Sequence, residues 1–123
     1  MPDPITAIRL ESHYRIGGGP VHATVFVGEA QRGTWSLSVD GVDVEHGKAP
    51  KRVEVGRGAS LAGRTLTIEV MVTDTNPFTN HTSVLITLEG GEEGKSWHLQ
   101  HTVSEEGRSV FYVAQYQLEA EVV

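Results

Sequence analysis

Two histidines and a glutamate lie close together in the second half of the chain, at His98, His101 and Glu105. Imidazole nitrogens and carboxylate oxygens are common ligands of zinc and related metals. Successive side chains of a β-strand point to opposite faces, however, so a spacing of three places the two histidines on different sides of a sheet. Because His101 shares its parity with Trp97, we expect it to be half-buried in a core and not to hold a metal.

The other histidines have no mutual spacing that builds a site. Some of them could still meet if the strand order brought them together. An outward group of His13, His22 and His98 would require such an order. A jelly-roll metalloenzyme assembled in this way is therefore one alternative hypothesis for the function. It needs a particular arrangement of strands that the sequence does not specify.

Oxygen-bearing side chains concentrate in two loops, 74–81 and 104–108, that a β-meander would bring to the same end of the molecule. Calcium takes several oxygen ligands, and carboxylates on neighbouring loops can supply them. A solvated loop whose Asp and Asn side chains cap turns is the simpler interpretation. Calcium or a small polar ligand is thus a second alternative, and we assign no other cofactor and no metal ligand. The candidate binding residues are Asp74, Asn76, Phe78, Asn80, Glu105 and Glu106.

Catalytic groups are hard to find in this chain. No serine sits in a Gly-x-Ser-x-Gly turn, and there is no cysteine to act as a nucleophile. The paired acids at 92–93 and 105–106 are flanked by glycine in turns, where little shields them from water. General acids need such shielding to shift their pKa, so we predict no catalytic residue.

The charge of the chain is uneven. Residues 1–64 carry eight Lys or Arg and seven Asp or Glu, whereas residues 65–123 carry two and nine, for a net charge of −6. Nucleic acids and anionic membranes bind through many cations, so we expect neither as a partner. Intra-chain ion pairs or a basic surface for an acidic partner would explain a cluster of cations in the first half, namely Lys48, Lys51, Arg52, Arg57 and Arg64.

The element that organises the chain is the segment Leu66 to Val72, whose apolar side chains alternate with polar ones at period two. That pattern indicates a strand with one dry and one wet face. Met71 is the only apolar residue on its wet face. Similar short runs recur, with turn residues about every 8–12 positions. Together they predict an all-β fold: one antiparallel β-sandwich domain over residues 1–123, with about eight strands, of jelly-roll or Greek-key (immunoglobulin-like) type.

Asp40-Gly41 is the strongest local signal, since Asp-Gly favours a two-residue type I′ hairpin. We expect Val39 to face Val42 and Leu37 to face Val44 across this turn. The strands after residue 65 are predicted to continue as a meander. In that arrangement a last hairpin pairs Val103 with Val110 and sets His101 across from Tyr112.

The last strand is apolar on both faces, which points to a second buried surface. Phe111 and Val113 lie opposite the residues that face the core and are candidate interface residues. We also expect this strand to be a sheet edge open to β-augmentation.

The sequence is most consistent with a non-catalytic binding or assembly module whose partner is another protein or a second copy of the chain. It contains no basic, apolar leader and no apolar run of the ~20 residues needed to cross a bilayer. We therefore expect a cytoplasmic protein, the alternative being a mature secreted form.

Overall fold

The computed structural model describes residues 6–91 and 94–120, and these form an almost entirely β structure with a single helical turn. This confirms the predicted all-β sandwich. None of the described helical residues forms a segment long and apolar enough to span a bilayer. The elements are β1 (Thr6–Ile16), β2 (Pro20–Val27), β3 (Arg32–Val39), β4 (Val42–Gly47), β5 (Arg52–Arg57), α1 (Gly58–Leu61), β6 (Thr65–Thr73), β7 (His81–Glu89), β8 (Lys95–Thr102) and β9 (Ser109–Ala120).

Two sheets pack face to face. The five-stranded sheet has the order β1-β9-β6-β3-β4, and the four-stranded sheet has the order β5-β2-β7-β8. The prediction of a purely antiparallel sandwich needs one correction, because β1 runs parallel to β9 from Thr6↔Val110 to Ile16↔Ala120. The N-terminal strand thus extends the five-stranded sheet beside the last strand of the chain.

The predicted meander after residue 65 is wrong, since only β7 and β8 form a hairpin there. The chain crosses between sheets from β6 to β7 and again from β8 to β9. His101 therefore pairs with Thr82 on β7 and not with Tyr112. The prediction of an open edge at β9 is also wrong, because β9 lies between β1 and β6. Among the described strands the edges are β1, β4, β5 and β8.

The centre of the core is β6, as its period-two pattern predicts. Its four inward side chains are completely buried, and each such side chain contributes roughly 1.5–3 kcal/mol through the hydrophobic effect. Their partners in the register are inward residues of β3 and β9, so the core spans these three central strands of the sheet. The four residues are Leu66, Ile68, Val70 and Val72.

The hairpin between β3 and β4 forms at the predicted turn. Asp40 and Gly41 both adopt positive φ (48° and 83°), as a type I′ turn requires, and Val39 pairs with Val42. The register then shifts, so that Leu37 pairs with Glu45 and not with Val44. Val44 is the extra residue of this bulge and is 37% exposed, since a bulge leaves its extra residue unpaired. Val42 lies beside the turn, outside the bulge, and is 70% exposed.

Aromatic residues connect the two sheets. The ring of Trp97 on β8 lies edge-on to that of Tyr14 on β1, with centroids 6.2 Å apart, and 4.7 Å from that of Tyr116 on β9. The hydroxyl of Tyr112 lies 2.6 Å from that of Thr82 on β7. The phenol of Tyr116 is buried and makes no hydrogen bond within the described part of the chain. These contacts fix how the sheets, and the loops at their ends, are placed relative to one another.

Candidate functional site

The two loops that carry the predicted ligands meet at one end of the sandwich. The amide of Asp74 donates to the carbonyl of Arg108 (2.9 Å), and the amide of Gly107 donates to the carbonyl of Asp74 (2.8 Å). On the neighbouring sheet, the amide of Val103 donates to the carbonyl of Asn80 (2.9 Å). Because β6 pairs with β9 and β7 pairs with β8, both loops cross between the sheets at this end.

Gln31, which precedes β3, holds the first of these loops in place. Its side chain is part of a residue only 8% exposed. The Oε1 atom accepts hydrogen bonds from the amides of Thr75 (2.7 Å) and Asn76 (2.8 Å), and Nε2 donates to the carbonyls of Thr79 (3.2 Å) and His81 (3.0 Å). One carboxamide therefore satisfies four backbone groups that would otherwise lack partners in the fold.

Asn76 continues the same network inside residues 75–80, which we call the Phe78 loop. Its Oδ1 accepts a hydrogen bond from the Phe78 amide (3.0 Å), and its Nδ2 donates to the carbonyl of Glu29 (2.9 Å). The first contact is an Asx turn, a local arrangement that fixes the backbone two residues ahead. Both ends of this carboxamide therefore have structural roles.

Phe78 projects from this braced loop. Its residue is 93% exposed, the largest value among the large hydrophobic side chains of residues 6–91 and 94–120. Pro77 before it has a fixed φ, which further restricts the backbone that carries the ring. The structure thus presents an apolar aromatic side chain to solvent on a backbone that has little freedom to move.

The predicted oxygen ligands share this end of the molecule but differ in their surroundings. Asp74 is fully buried, and neither of its carboxylate oxygens accepts a hydrogen bond from a described group. Glu105 accepts from Arg108 Nη2 (3.3 Å), whereas Glu106 is exposed to solvent. Within the described residues, no three His, Cys, Asp or Glu side chains are grouped to hold a metal ion.

Asp74 lies opposite Arg108 at the end of the core. The backbone hydrogen bonds continue the β6–β9 register past Thr73↔Ser109, so the two side chains extend from the same face of the sheet as Val72 and Val110. Arg108 Nε is buried there as well. A carboxylate and a guanidinium thus close the apolar core at this end.

His98 and His101 lie on different faces of the four-stranded sheet, as their parity predicts. His98 is exposed opposite Leu85 on the outer face of the four-stranded sheet, while His101 is partly buried opposite Thr82, which faces the core. His13 lies on the five-stranded sheet, 2.8 Å from Glu119. The outward group of three histidines therefore does not form, because its members lie on opposite sheets.

A concave surface lies on the outer face of the five-stranded sheet, and we call it the outer-face groove. Its volume is about 400 Å³, and it opens into a more polar depression of about 760 Å³ toward the Gln31 end. Met71 and Phe111, which are paired in the β6–β9 register, form its apolar part. The side chains that line it include Thr34, Ser36, Lys48, Glu69, Met71 and Phe111.

Lys48 is held at this groove by the segment after β4. The indole Nε1 of Trp35 donates to the carbonyl of Ala49 (3.0 Å), which ties that segment to β3. Gly47 lies directly opposite Trp35. A Cβ on Gly47 would lie 2.8 Å from the indole Cζ2, so only glycine lets the two strands approach in this way.

The basic cluster of the first half divides into two groups. Three of its members form exposed ion pairs: Lys51 with Glu45 (2.6 Å), Arg52 with Glu89 (3.1 Å) and Arg64 with Asp40 (3.2 Å). Exposed pairs of this kind contribute about 0–1 kcal/mol. Lys48 and Arg57, by contrast, make no ion pair with any residue in the described ranges, and neither does Arg32 in the adjoining depression.

The two predicted interface residues have different environments. Phe111 is partly exposed and lines the outer-face groove, whereas Val113 on the same face is only 8% exposed. In the register, Val113 lies between Arg9 and Glu69, and long charged side chains can cover an apolar neighbour. The open apolar surface is therefore formed by Phe111 with Met71.

Compared with known proteins, the chain matches no family model, no curated protein and no solved structure.

Proposed function

We propose that this chain is a non-catalytic binding module that engages a protein partner through the Phe78 loop. The observation that supports this function is the 93% exposure of Phe78 on a backbone fixed by the side chains of Gln31 and Asn76. Leaving a large aromatic side chain in water forgoes the stabilisation that its burial would provide. Contact with a partner would recover that stabilisation.

The restraint of the loop favours binding. Association costs free energy when loops and side chains must be ordered, and a backbone that is already fixed lowers that cost. Aromatic side chains are enriched at the centres of protein interfaces, where a few anchors provide most of the binding energy. Phe78 has both properties, since it is aromatic and its backbone is already fixed.

The shape and charge of this end favour a protein over the other partner classes. Small-molecule sites are concave, whereas Phe78 protrudes. Glu29, Glu105 and Glu106 are exposed at the same end. Anionic lipid surfaces attract cations and would repel these carboxylates. A protein with an apolar pocket near basic groups fits the chemistry of the loop best.

Site-specific photo-crosslinking tests the proposal. A benzoylphenylalanine replacing Phe78 keeps the aromatic anchor and reacts with whatever lies against it. The matched control is the same substitution at Phe26, a 49% exposed phenylalanine on the outer face of the four-stranded sheet. In cells that express the chain we expect a discrete protein adduct at position 78 and none at position 26. Equal yields at the two positions, or no adduct at 78, would overturn the proposal.

A further inference from the structure

We propose that the partner of the Phe78 loop is a second copy of this chain, and that Phe78 of one copy inserts into the outer-face groove of the next. This inference rests on the proposed function and names the partner. It joins two features that are otherwise unexplained: an exposed aromatic side chain, and an open groove lined by Met71 and Phe111.

The groove is large enough for this side chain. A cavity of about 150 Å³ lined by apolar residues holds a benzene molecule, and the outer-face groove has a volume of about 400 Å³. The phenyl ring of Phe78 therefore fits, with room for the adjoining Pro77. The groove is open to solvent along the sheet face and does not require a strand to move.

The lining of the groove suits an aromatic side chain. Met71 and Phe111 are direct neighbours in the β6–β9 register, so the thioether and the ring form one continuous apolar surface. Aromatic rings pack favourably against each other in offset or edge-to-face arrangements, and methionine sulfur also contacts ring edges favourably. Phe78 of a second copy would make both kinds of contact.

The Phe78 loop and the outer-face groove differ in charge. The end that carries Phe78 also exposes Glu29, Glu105 and Glu106. The groove and its adjoining depression contain Lys48 and Arg32, which have no ion-pair partner in the described ranges. Glu69 also lines the groove, so the two cations exceed the carboxylates of the groove and depression by one. Opposite charges at such a contact guide association and favour one register.

The contact joins two different surfaces, the Phe78 loop and the outer-face groove, and this makes a complementation experiment possible. Phe78→Ala removes the anchor but keeps the groove. Met71→Glu adds a charge to the groove but keeps the anchor, and its side chain lies on the outer face, away from the core. Each variant alone then lacks one half of the contact, while a mixture of the two contains one complete pair.

Sedimentation over a wide range of concentration would measure the association. We expect the wild-type chain to associate, with a dissociation constant that rises about tenfold or more in either variant, as loss of a central anchor predicts. We expect an equimolar mixture of the variants to form a heterodimer and Phe26→Ala to behave like wild type. Thermal unfolding of each variant verifies that it is folded.

Changing the charge at the edge of the groove provides a second test, and it leaves the residues of the sheet unaltered. Lys48→Glu changes an exposed residue after β4 and should weaken association, and added salt should weaken the wild-type contact by screening. A wild-type chain that stays monomeric at all concentrations would overturn the inference. So would a mixture of folded Phe78→Ala and Met71→Glu that fails to associate, or a Met71→Glu variant that associates like wild type.

The two proposals fail in different ways. If the chain is monomeric but benzoylphenylalanine at position 78 captures a different protein, the second-copy inference is wrong and the proposed binding function stands. If position 78 captures nothing, the proposed function is itself wrong, and Phe78→Ala should then associate like wild type.

Discussion

The hydroxyl groups of Thr82 and Tyr112 lie 2.6 Å apart and join β7 of one sheet to β9 of the other. The same threonine hydroxyl donates to the carbonyl of His101 (2.6 Å), so this buried contact involves both strands of the β7–β8 hairpin. Two core positions of β9 further along the chain, Tyr116 presents a phenol with no such partner among the described residues.

Replacing these two tyrosines by phenylalanine should have different effects on stability, with a loss only for Tyr112→Phe. Tyr112→Phe removes the contact with Thr82, and a buried hydrogen bond contributes about 1 kcal/mol. Tyr116→Phe removes a buried hydroxyl that makes no hydrogen bond, so we expect the free energy of unfolding to stay constant or to rise by up to about 1 kcal/mol. Urea unfolding of the two variants measures both. Equal destabilisation of the two would contradict the assigned contacts.

Stability should fall steeply in alkali because of the same residues. Burial raises the pKa of Tyr116 above its ordinary value, and burial also raises the pKa of Tyr112 even though the Thr82 hydrogen bond lowers it. Above about pH 10 the unfolded chain loses phenolic protons that the folded chain keeps. The stabilisation is therefore complete below about pH 10 and is lost as the pH rises toward the folded-state pKa.

The expected slope approaches about 1.4 kcal/mol per pH unit for Tyr116, whose phenol stays protonated in the folded chain over this range. Urea unfolding at a series of alkaline pH values measures it, and Tyr116→Phe isolates the contribution of one residue. The variant should lose stability with pH less steeply than the wild-type chain. An unchanged slope would show that this phenol titrates normally in the folded state.

Gln31→Ala should loosen the Phe78 loop. The substitution leaves two amides and two carbonyls without their partner, and an unsatisfied buried group costs about 1–3 kcal/mol. We expect a loss of about 2 kcal/mol or more in the free energy of unfolding, together with faster hydrogen exchange at the amides of Thr75 and Asn76. Gln117→Ala is the matched control, because that exposed glutamine makes one hydrogen bond, to Thr65 Oγ1 (2.8 Å). Equal effects of the two substitutions would contradict the role of Gln31.

Calcium should leave the unfolding temperature unchanged. The carboxylate of Asp74 is buried at the end of the core, and both ends of the Asn76 carboxamide are engaged with the backbone. If calcium bound here, a free calcium concentration one hundred times the dissociation constant would add about 2.7 kcal/mol to the free energy of unfolding. Thermal unfolding with calcium and with EDTA measures this difference. A calcium-dependent rise of that size would favour the alternative of a calcium-binding domain.

Parity along the strands predicted which way side chains face, and the structure confirms it for β6 and for His98 and His101. The same parity carries no information about which sheet a strand joins. The residues between β8 and β9 look like an ordinary turn, yet the chain changes sheet there. The sequence of β4 contains no signal for the bulge, because its valines alternate as they would in a regular strand.

The sequence predicted part of the arrangement at this end of the molecule, while a binding role for its residues stays a prediction. The loops around Asp74 and Glu105 contain turn residues and acids that attract notice, and the structure brings these loops together. Gln31 was missed, because a polar residue in a loop has no periodicity that would reveal its burial. The outer-face groove did have a signal, since Met71 and Phe111 are apolar at outward positions, but recognising it requires knowing that β6 and β9 are neighbours.

The parallel pairing of β1 with β9 places Thr6 at one end of the sandwich and Ala120 at the other, with eleven residue pairs between the two strands. Tension applied between these two positions would pull the strands past each other lengthwise and would load their hydrogen bonds together, as in shear, instead of opening them one after another like a zipper. The β1–β9 pairing therefore has the shear geometry that resists extension between these two positions.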